Sequence, residues 1–324
     1  MKYVIATISL LFLLLATPAV AKPSHETIER VMKSIVVVTT TIGEDLGEFS
    51  GPAPAGSLRG ALGSGFVLEN GDIITNHHVI DNASEIRIRF NEKRHKWYMA
   101  RVVASDPIID VAILRPIDRI PEVQGLAWAD HTKVFQGDDV WAAGSPLGLP
   151  FSFTMGTVSS INRTLNNPWQ RTIQTDTAIN SGNSGGPLLT DHGEVLGINT
   201  FILNTGVGGG SMGLNFAVRS DWVRSAINKL NKDQKIDRPF MGLQLTGDEE
   251  FVRITGVVSG APGGMAGVRV DDQVLKFDDK EVFSLNTIYD ILRNAKPGDI
   301  KPLAINRRGR FLVFDIELGL LNTN

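Results

Sequence analysis

The sequence contains no cysteine among its 324 residues, so disulfides, thiolate nucleophiles and cysteine-ligated zinc are excluded. A strong charge of either sign is also missing, because 32 basic residues stand against 35 acidic ones for a net charge of −3. Nucleic-acid affinity depends on clustered Lys and Arg, so this balance argues against a nucleic-acid partner. Hydrophobic residues make up 42% and charged residues 21%, which excludes a disordered chain and favours packed cores in about two domains.

The one long apolar run lies at the N-terminus, directly after Lys2. The run Val4–Ala16 is shorter than the roughly 20 residues that a membrane-spanning helix needs, which disfavours the alternative of a retained anchor. Pro18 follows, and Ala19-Val20-Ala21 then fits the small-x-small pattern that signal peptidases cleave. We therefore predict cleavage after Ala21, no stable membrane anchor and export to a bacterial periplasm.

Convincing helical patterns are missing between the apolar run and residue 220, and short β-rich runs separated by turn residues take their place. About a dozen short strands at this spacing favour one or two antiparallel barrels or a sandwich. The predicted strands are Ile35–Thr41, Gly65–Glu69, Asp72–Thr75, Glu85–Phe90, Trp97–Ala104, Val111–Leu114, Asp139–Ala143, Ser152–Ile161, Arg171–Thr175, Glu194–Leu203 and Leu214–Val218. Three longer stretches are predicted to be surface loops, at 43–60, 163–170 and 204–213.

A change of pattern after residue 218 indicates a second domain. The first predicted helix is Asp221–Leu230, with Ser220 as its N-cap, and the polar stretch 231–239 is typical of an interdomain linker. Residues 240–319 then predict strands, a helix over Asn286–Asn294 and a final hairpin. The predicted segments are a signal peptide over residues 1–21, a mainly β domain over 22–235 and an α+β domain over 236–324.

Three short motifs carry the residues of a catalytic triad. Asn180-Ser-Gly-Asn-Ser-Gly-Gly-Pro187 places Ser184 on a tight turn, where its hydroxyl can be exposed and backbone N–H groups can converge. His78 lies in Thr75-Asn-His-His-Val79, and Asp110 lies in the segment 106–114. The order His, Asp, Ser is that of a chymotrypsin-type triad, in which serine attacks, histidine takes and returns its proton, and a buried aspartate orients the histidine.

The oxyanion hole is predicted in the same turn, with Gly182 and Ser184 as the natural N–H donors and Asn183 between them.

Each motif alone is compatible with an ordinary turn, a strand-end acid or a surface histidine, but their order together favours the triad. The turn also fits the nucleophile elbow of α/β-hydrolases, yet that fold needs a later histidine, and His192 follows without a βα pattern. Side chains of neighbouring residues diverge on an extended segment, so His77 and His78 predict no metal site.

Four segments together carry a family resemblance: 75–79, 106–114, 175–187 and the strand Gly197-Ile-Asn-Thr200. They resemble the HtrA (Deg) family of serine proteases, and residues 238–319 resemble that family's PDZ domain. The resemblance implies a mainly β fold, with a chymotrypsin-like double β-barrel protease domain followed by an α+β PDZ domain. It also implies an oligomer usually built from trimers. Of the two adjacent histidines, the one that matches the family's catalytic position is His78.

The resemblance further implies two binding sites. The base of the primary specificity pocket in chymotrypsin-type folds lies six residues before the nucleophile, at Ala178. With Ile179 and Ile198 beside it, Ala178 predicts an apolar, shallow pocket that favours small aliphatic residues. A PDZ carboxylate-binding loop, whose backbone N–H groups hold a C-terminal carboxylate, aligns with Phe240, Met241, Gly242 and Leu243.

Two positions depart from common patterns. Asn183 is neutral, whereas zymogen-activated relatives of chymotrypsin carry an aspartate there that pairs with a newly cut N-terminus. Activation by N-terminal cleavage is therefore not expected, and the resemblance instead implies control by the loops at 145–151, 163–170 and 204–213. In the PDZ domain, Asp271-Asp272 replaces the usual Gly-Asp.

These features predict an exported, ATP-independent serine endopeptidase that degrades or processes unfolded or damaged proteins, in protein quality control and stress response. No cofactor is expected. The predicted partners are unfolded polypeptides, C-terminal peptides and further copies of the chain in a homotrimer. Two alternatives stay open: a PDZ-bearing peptide-binding chaperone or scaffold with little proteolysis, and a regulatory protease that cuts one signalling protein.

Overall fold

A computed structural model gives the architecture of the chain. The described residues are 23–41, 61–91, 96–145, 151–164, 167–180, 182–204, 211–233, 236–247 and 251–321. The predicted signal peptide and the predicted loop at 43–60 lie outside these residues, as does most of the predicted loop at 204–213.

The first six strands close into a barrel in the order β1-β2-β3-β6-β5-β4. The inward side chains alternate with outward ones, as in β4, where Ile86, Ile88 and Phe90 are buried between partly exposed charged residues. One helical turn, α2 (His77–Ile80), interrupts the barrel after β3. The strands are β1 (Ile35–Thr41), β2 (Leu62–Val67), β3 (Ile73–Thr75), β4 (Glu85–Phe90), β5 (Tyr98–Asp106) and β6 (Val111–Pro116).

The next six strands close a second barrel in the order β10-β11-β12-β9-β8-β7. Two helices pack on it: α1 (His25–Ser34) and α3 (Ser220–Asp233). One hydrophobic core joins both barrels and both helices, through residues such as Val31, Phe66, Leu189 and Val223. The strands are β7 (Asp139–Gly144), β8 (Ser152–Arg163), β9 (Thr172–Thr175), β10 (Pro187–Leu189), β11 (Val195–Asn204) and β12 (Ser211–Arg219).

A smaller α+β unit follows, in which a sheet ordered β14-β15-β16-β18-β19 has β17 paired to β16, while β13 pairs with β20. Its separate core includes Val252, Phe277, Ile288 and Ile305. The helices are α4 (Pro262–Met265) and α5 (Leu285–Asn294). The strands are β13 (Pro239–Phe240), β14 (Leu243–Gly247), β15 (Val252–Val257), β16 (Gln273–Phe277), β17 (Lys280–Glu281), β18 (Ile300–Arg307), β19 (Arg310–Glu317) and β20 (Gly319–Leu320).

The expectation that Asp221–Leu230 would be the first helix was wrong, because α1 precedes all the strands. Ser24 caps α1, since its hydroxyl accepts a hydrogen bond from Thr27 N at 3.0 Å, and Val31 is fully buried. The predicted linker is also shorter, because α3 continues to Asp233. At the predicted departure from the PDZ pattern, Asp271 adopts φ = 74°, the left-handed conformation that glycine accepts most easily.

Candidate active site

His78 lies on the single turn of α2, directly after β3, and faces the loop that joins β5 to β6. Its Nδ1 donates to Asp110 Oδ2 at 2.8 Å, and its backbone N–H donates to Asp110 Oδ1 at 2.9 Å. One carboxylate thus holds both the ring and the backbone of the histidine, which fixes the orientation of the imidazole. The His78 side chain remains half exposed, and that of Asp110 is 21% exposed rather than fully buried.

Asp110 is itself held in a strained conformation. Its φ of 58° is in the left-handed region, which is unfavourable for a residue with a side chain. Asn76 Nδ2 donates to the Asp110 carbonyl at 2.8 Å, and Thr200 Oγ1 donates to Asp110 Oδ2 at 2.6 Å. Thr200 has no role in the sequence-based triad, although it ends the quoted Gly-Ile-Asn-Thr strand motif. Its hydroxyl occupies a second acceptor position on the carboxylate that orients His78.

The pKa of His78 is raised above its usual 6.5. The hydrogen bond to Asp110 is the largest cause, burial opposes it, and the negative charge of Asp110 adds to it. A histidine with a raised pKa is a stronger base, which suits a group that must accept a proton from a hydroxyl.

Ser184 lies in a turn whose backbone is pinned by hydrogen bonds. Asn183 N donates to Asn180 O and Gly185 N donates to Asn199 O, both at 2.9 Å. Asn183 N–H is therefore engaged within the turn. Among the described residues, the N–H groups of Gly182 and Ser184 have no acceptor, so this pair is available to an incoming oxygen.

The Ser184 hydroxyl has one hydrogen-bond partner among the described residues, the carbonyl oxygen of Thr200 at 3.5 Å. This distance is at the limit for a hydrogen bond, so the hydroxyl is weakly held. Gly185, the next residue, has φ = 85°, and a Cβ there would lie 2.2 Å from the carbonyl oxygen of Ser64. Only glycine therefore allows the turn around Ser184 to approach the first barrel this closely.

The three residues predicted for the specificity pocket have different environments. Ala178 is exposed, and its carbonyl accepts a hydrogen bond from Thr154 Oγ1 at 2.7 Å. Ile179 is packed in the core of the second barrel, whereas Ile198 is packed in the core between the barrels. The pocket therefore stays a prediction, with Ala178 as the one residue of the three that is accessible to a substrate.

The predicted PDZ loop lies beside a groove of about 620 Å³, to which both domains contribute. The loop supplies Phe240, Met241, Gly242 and Leu243, α5 supplies Tyr289 and Leu292, and the two-barrel domain supplies Ile108, Asn167 and Trp169. Gly242 has φ = 72°, and a Cβ there would lie 2.1 Å from the Cβ of Ala261. In the part of the chain that the structure covers, the N–H groups of Met241 and Gly242 have no acceptor.

The groove is linked to the Asp110 loop by the segment between β8 and β9. Asn167 Nδ2 donates to Ile108 O at 2.6 Å, and Gln170 Nε2 donates to Ile109 O at 3.2 Å. These two side chains hold the backbone directly before Asp110. Neither contact is visible in the sequence, because each joins residues about sixty positions apart.

The described residues contain no group of three or more His, Cys, Asp or Glu side chains placed to hold a metal ion. No helix in the described part of the chain has the length and hydropathy needed to cross a bilayer.

Comparison with known proteins identifies both domains. Residues 63–198 match the trypsin-like peptidase domain family, and residues 239–318 match the PDZ domain family. The chain is 32% identical to a probable periplasmic serine endoprotease DegP-like of Chlamydia trachomatis, over 81% of this chain and 54% of that protein. It is 35% identical to a DegP-like protein of Pseudomonas putida, over 81% of this chain and 56% of that protein. The chain thus spans a little over half the length of these relatives.

Solved structures of serine proteases also match this chain, over almost its whole length. The HtrA-type protease AlgW with tripeptide has a TM-score of 0.73 at 25% identity, covering 93% of this chain and 99% of that one. The serine endoprotease from Yersinia pestis has a TM-score of 0.70 at 27% identity, covering 94% and 100%. Two closed barrels, a PDZ unit and these relatives together show that the chain belongs to the HtrA (Deg) family of trypsin-like proteases with a PDZ domain.

Proposed function

We propose that the protein is a serine endopeptidase that works through an acyl-enzyme. The observation that carries this proposal is the pairing of His78 Nδ1 with Asp110 at 2.8 Å, together with Thr200, whose hydroxyl donates to Asp110 and whose carbonyl accepts from the Ser184 hydroxyl. The pairing directs the other ring nitrogen, Nε2, away from Asp110 and leaves it available as a base. The free N–H groups of Gly182 and Ser184 supply the second requirement, a site for a developing oxyanion.

The reaction follows from these groups. Ser184 Oγ attacks the peptide carbonyl while His78 Nε2 takes its proton, and the carbonyl oxygen becomes an oxyanion facing Gly182 N and Ser184 N. His78 then gives the proton to the leaving amine, which breaks the peptide bond and leaves an acyl-Ser184. Water, deprotonated by His78, hydrolyses the acyl group and restores the serine. The weak 3.5 Å contact with Thr200 O leaves the hydroxyl able to turn toward His78.

The proposed substrates are unfolded or damaged polypeptides of the periplasm, in protein quality control under stress. Unfolded chains are favoured because a trypsin-like site binds its substrate in an extended form. Ala178 carries no charge to pair with Lys or Arg, so cleavage after small aliphatic residues is proposed. The chain is proposed to be exported by a signal peptide that is cut after Ala21, and to assemble as a homotrimer without a membrane anchor.

The PDZ domain is proposed to bind C-terminal peptides. The N–H groups of Met241 and Gly242, which have no acceptor among the described residues, can donate to a carboxylate. Tyr289 and Leu292 line the same groove and favour an apolar last residue of the peptide. The relative AlgW was solved with a tripeptide, which supports a peptide ligand. Asn167 and Trp169 line the groove from the protease domain, so a bound peptide is placed to influence the loop before Asp110.

Cleavage of a denatured protein by the purified chain tests the proposed function. The wild type should produce discrete fragments without ATP, and both Ser184→Ala and His78→Ala should abolish them. His77→Ala is the matched control, because it removes the neighbouring histidine and should keep cleavage. Binding of denatured protein without any cleavage would favour the chaperone alternative, and cleavage of a single folded signalling protein alone would favour the regulatory protease.

A further inference from the structure

Ser64, in the middle of β2, connects the first barrel to the turn around Ser184 through its N–H and its hydroxyl, and each of its polar groups is hydrogen-bonded. Its N–H donates to Ser184 O at 2.8 Å, and its hydroxyl donates to Gly182 O at 2.6 Å. The same hydroxyl accepts from Ser145 N at 2.9 Å, and its carbonyl accepts from Thr75 Oγ1 at 2.7 Å. The motif around Ser184 does not include this residue, which lies 120 positions earlier in a different barrel.

The contacts of Ser64 determine the orientation of the peptide planes around the oxyanion hole. The peptide between Gly182 and Asn183 lies between the two free N–H groups. Its carbonyl is held by Ser64 Oγ, and its N–H is held by Asn180 O at 2.9 Å. The peptide after Ser184 is held through its carbonyl by Ser64 N. Ser64 therefore fixes the backbone on both sides of Ser184: the peptide between Gly182 and Asn183, and the peptide between Ser184 and Gly185.

Burial makes these contacts hard to replace. Ser64 is completely inaccessible to solvent, so water cannot take the place of its hydroxyl. Without that hydroxyl, Gly182 O and Ser145 N would both lose a partner in a closed site, which is costly for buried polar groups. The peptide between Gly182 and Asn183 would then be held at one end only, and its rotation would turn the Gly182 and Ser184 N–H groups away from a common point.

We propose that Ser64 is a positioning residue that keeps the oxyanion hole of this protease in its active geometry. The proposal rests on the proposed serine-endopeptidase function. It assigns to the Ser64 hydroxyl an effect on the chemical step, through Gly182, and none on substrate affinity or on the basicity of His78.

The test compares Ser64→Ala with Ser34→Ala in the full chain. Ser34 is a matched control, because it is also fully buried in the protease domain and its hydroxyl also donates to a backbone carbonyl, that of Gln124 at 2.5 Å. For each variant we would measure kcat and KM on a peptide substrate, the pH profile, and the rate of Ser184 phosphonylation by a serine-directed phosphonate. Thermal unfolding would show that both variants are folded at the assay temperature.

Ser64→Ala should lower kcat and the phosphonylation rate by about 10- to 100-fold, because misplacing oxyanion donors affects the transition state. KM should stay within about twofold of the wild-type value. The inflection of the pH profile should stay within a few tenths of a pH unit. Ser64→Cys, which keeps a weak donor, should lie between Ser64→Ala and the wild type. Ser34→Ala should lose stability but keep kcat within about twofold.

A kcat for Ser64→Ala within twofold of that for Ser34→Ala would overturn the proposal. If Ser64→Ala does not fold, Ser64→Cys decides, since an unchanged phosphonylation rate in that variant would equally overturn it. A wild type that neither cleaves peptide nor reacts with the phosphonate would instead overturn the proposed function, so the two failures are distinguishable.

Discussion

Arg238 and Asp106 form a buried ion pair that joins the two domains. Arg238 Nη1 donates to Asp106 Oδ1 at 3.1 Å and Nη2 donates to Oδ2, and both side chains are less than a tenth exposed. Asp106 Oδ1 also accepts from Ile108 N at 3.0 Å. The pair therefore attaches the start of the PDZ unit to the loop that leads into Asp110.

Removing one partner of this ion pair should destabilise the protein more than replacing both partners with apolar residues. Arg238→Met leaves the buried Asp106 carboxyl without its cationic partner, so the free energy of unfolding should fall by about 3–5 kcal/mol. The double variant Asp106→Leu, Arg238→Met removes both charges and should recover most of that loss. Denaturant unfolding of the two single variants and the double variant gives the coupling free energy. Additive losses would show that the ion pair does not link the domains energetically.

The raised pKa of His78 predicts the pH profile of cleavage. The neutral imidazole is the base, so activity should increase with pH through a pKa above 6.5. Asp110→Asn removes the negative charge and the charge-assisted hydrogen bond that raise the pKa of His78, while burial still lowers it. The inflection should therefore move to lower pH, and kcat should fall about 10⁴-fold. An inflection that stays in place in Asp110→Asn would show that Asp110 does not set the basicity of His78.

The interaction of protonated His78 with Asp110 also stabilises the folded protein. Because the folded-state pKa of His78 is raised, the contribution is fully present below pH 6.5 and is lost as the pH rises through the folded-state pKa.

Ala178 predicts the residue after which the protein cuts. A peptide library should show cleavage after Val, Ala or Ile, because the exposed position at 178 carries neither charge nor bulk. Ala178→Asp should introduce cleavage after Arg and Lys, since a carboxylate would then pair with their side chains. Ala178→Asn is the matched control, with nearly the same shape and no charge. A wild-type profile dominated by Arg and Lys would refute the pocket assignment.

The groove beside Gly242 predicts recognition of a C-terminal carboxylate. Calorimetry on the full-length Ser184→Ala variant should give micromolar binding, about −8 kcal/mol at 1 μM, for a peptide ending in an aliphatic or aromatic residue. Amidation of that C-terminus should abolish binding. Gly242→Val should also abolish it, because a side chain there meets Ala261. Equal affinity for the amidated peptide would show that the loop does not read the carboxylate.

Local motifs made much of this account predictable from the sequence. The turn around Ser184, the histidine after β3 and the aspartate before β6 each have a short signature, and their order indicates the triad. The alternation of Ile86, Ile88 and Phe90 likewise predicts its strand. Other features depend on contacts between distant segments, so they have no local signature: Thr200 on Asp110, Ser64 on Gly182, and Arg238 on Asp106. Helix α1 did have a local signal, the Ser24 cap before spaced apolar residues.

We propose that Ser184, activated by His78, is the nucleophile of this protein. A biotinylated serine-directed phosphonate followed by intact-mass and peptide mass spectrometry tests it most directly. We expect one adduct per chain, located on Ser184. This adduct should be absent in Ser184→Ala and form much more slowly in His78→Ala, but it should be retained in His77→Ala. An adduct on another residue, or equal labelling of Ser184→Ala, would contradict it.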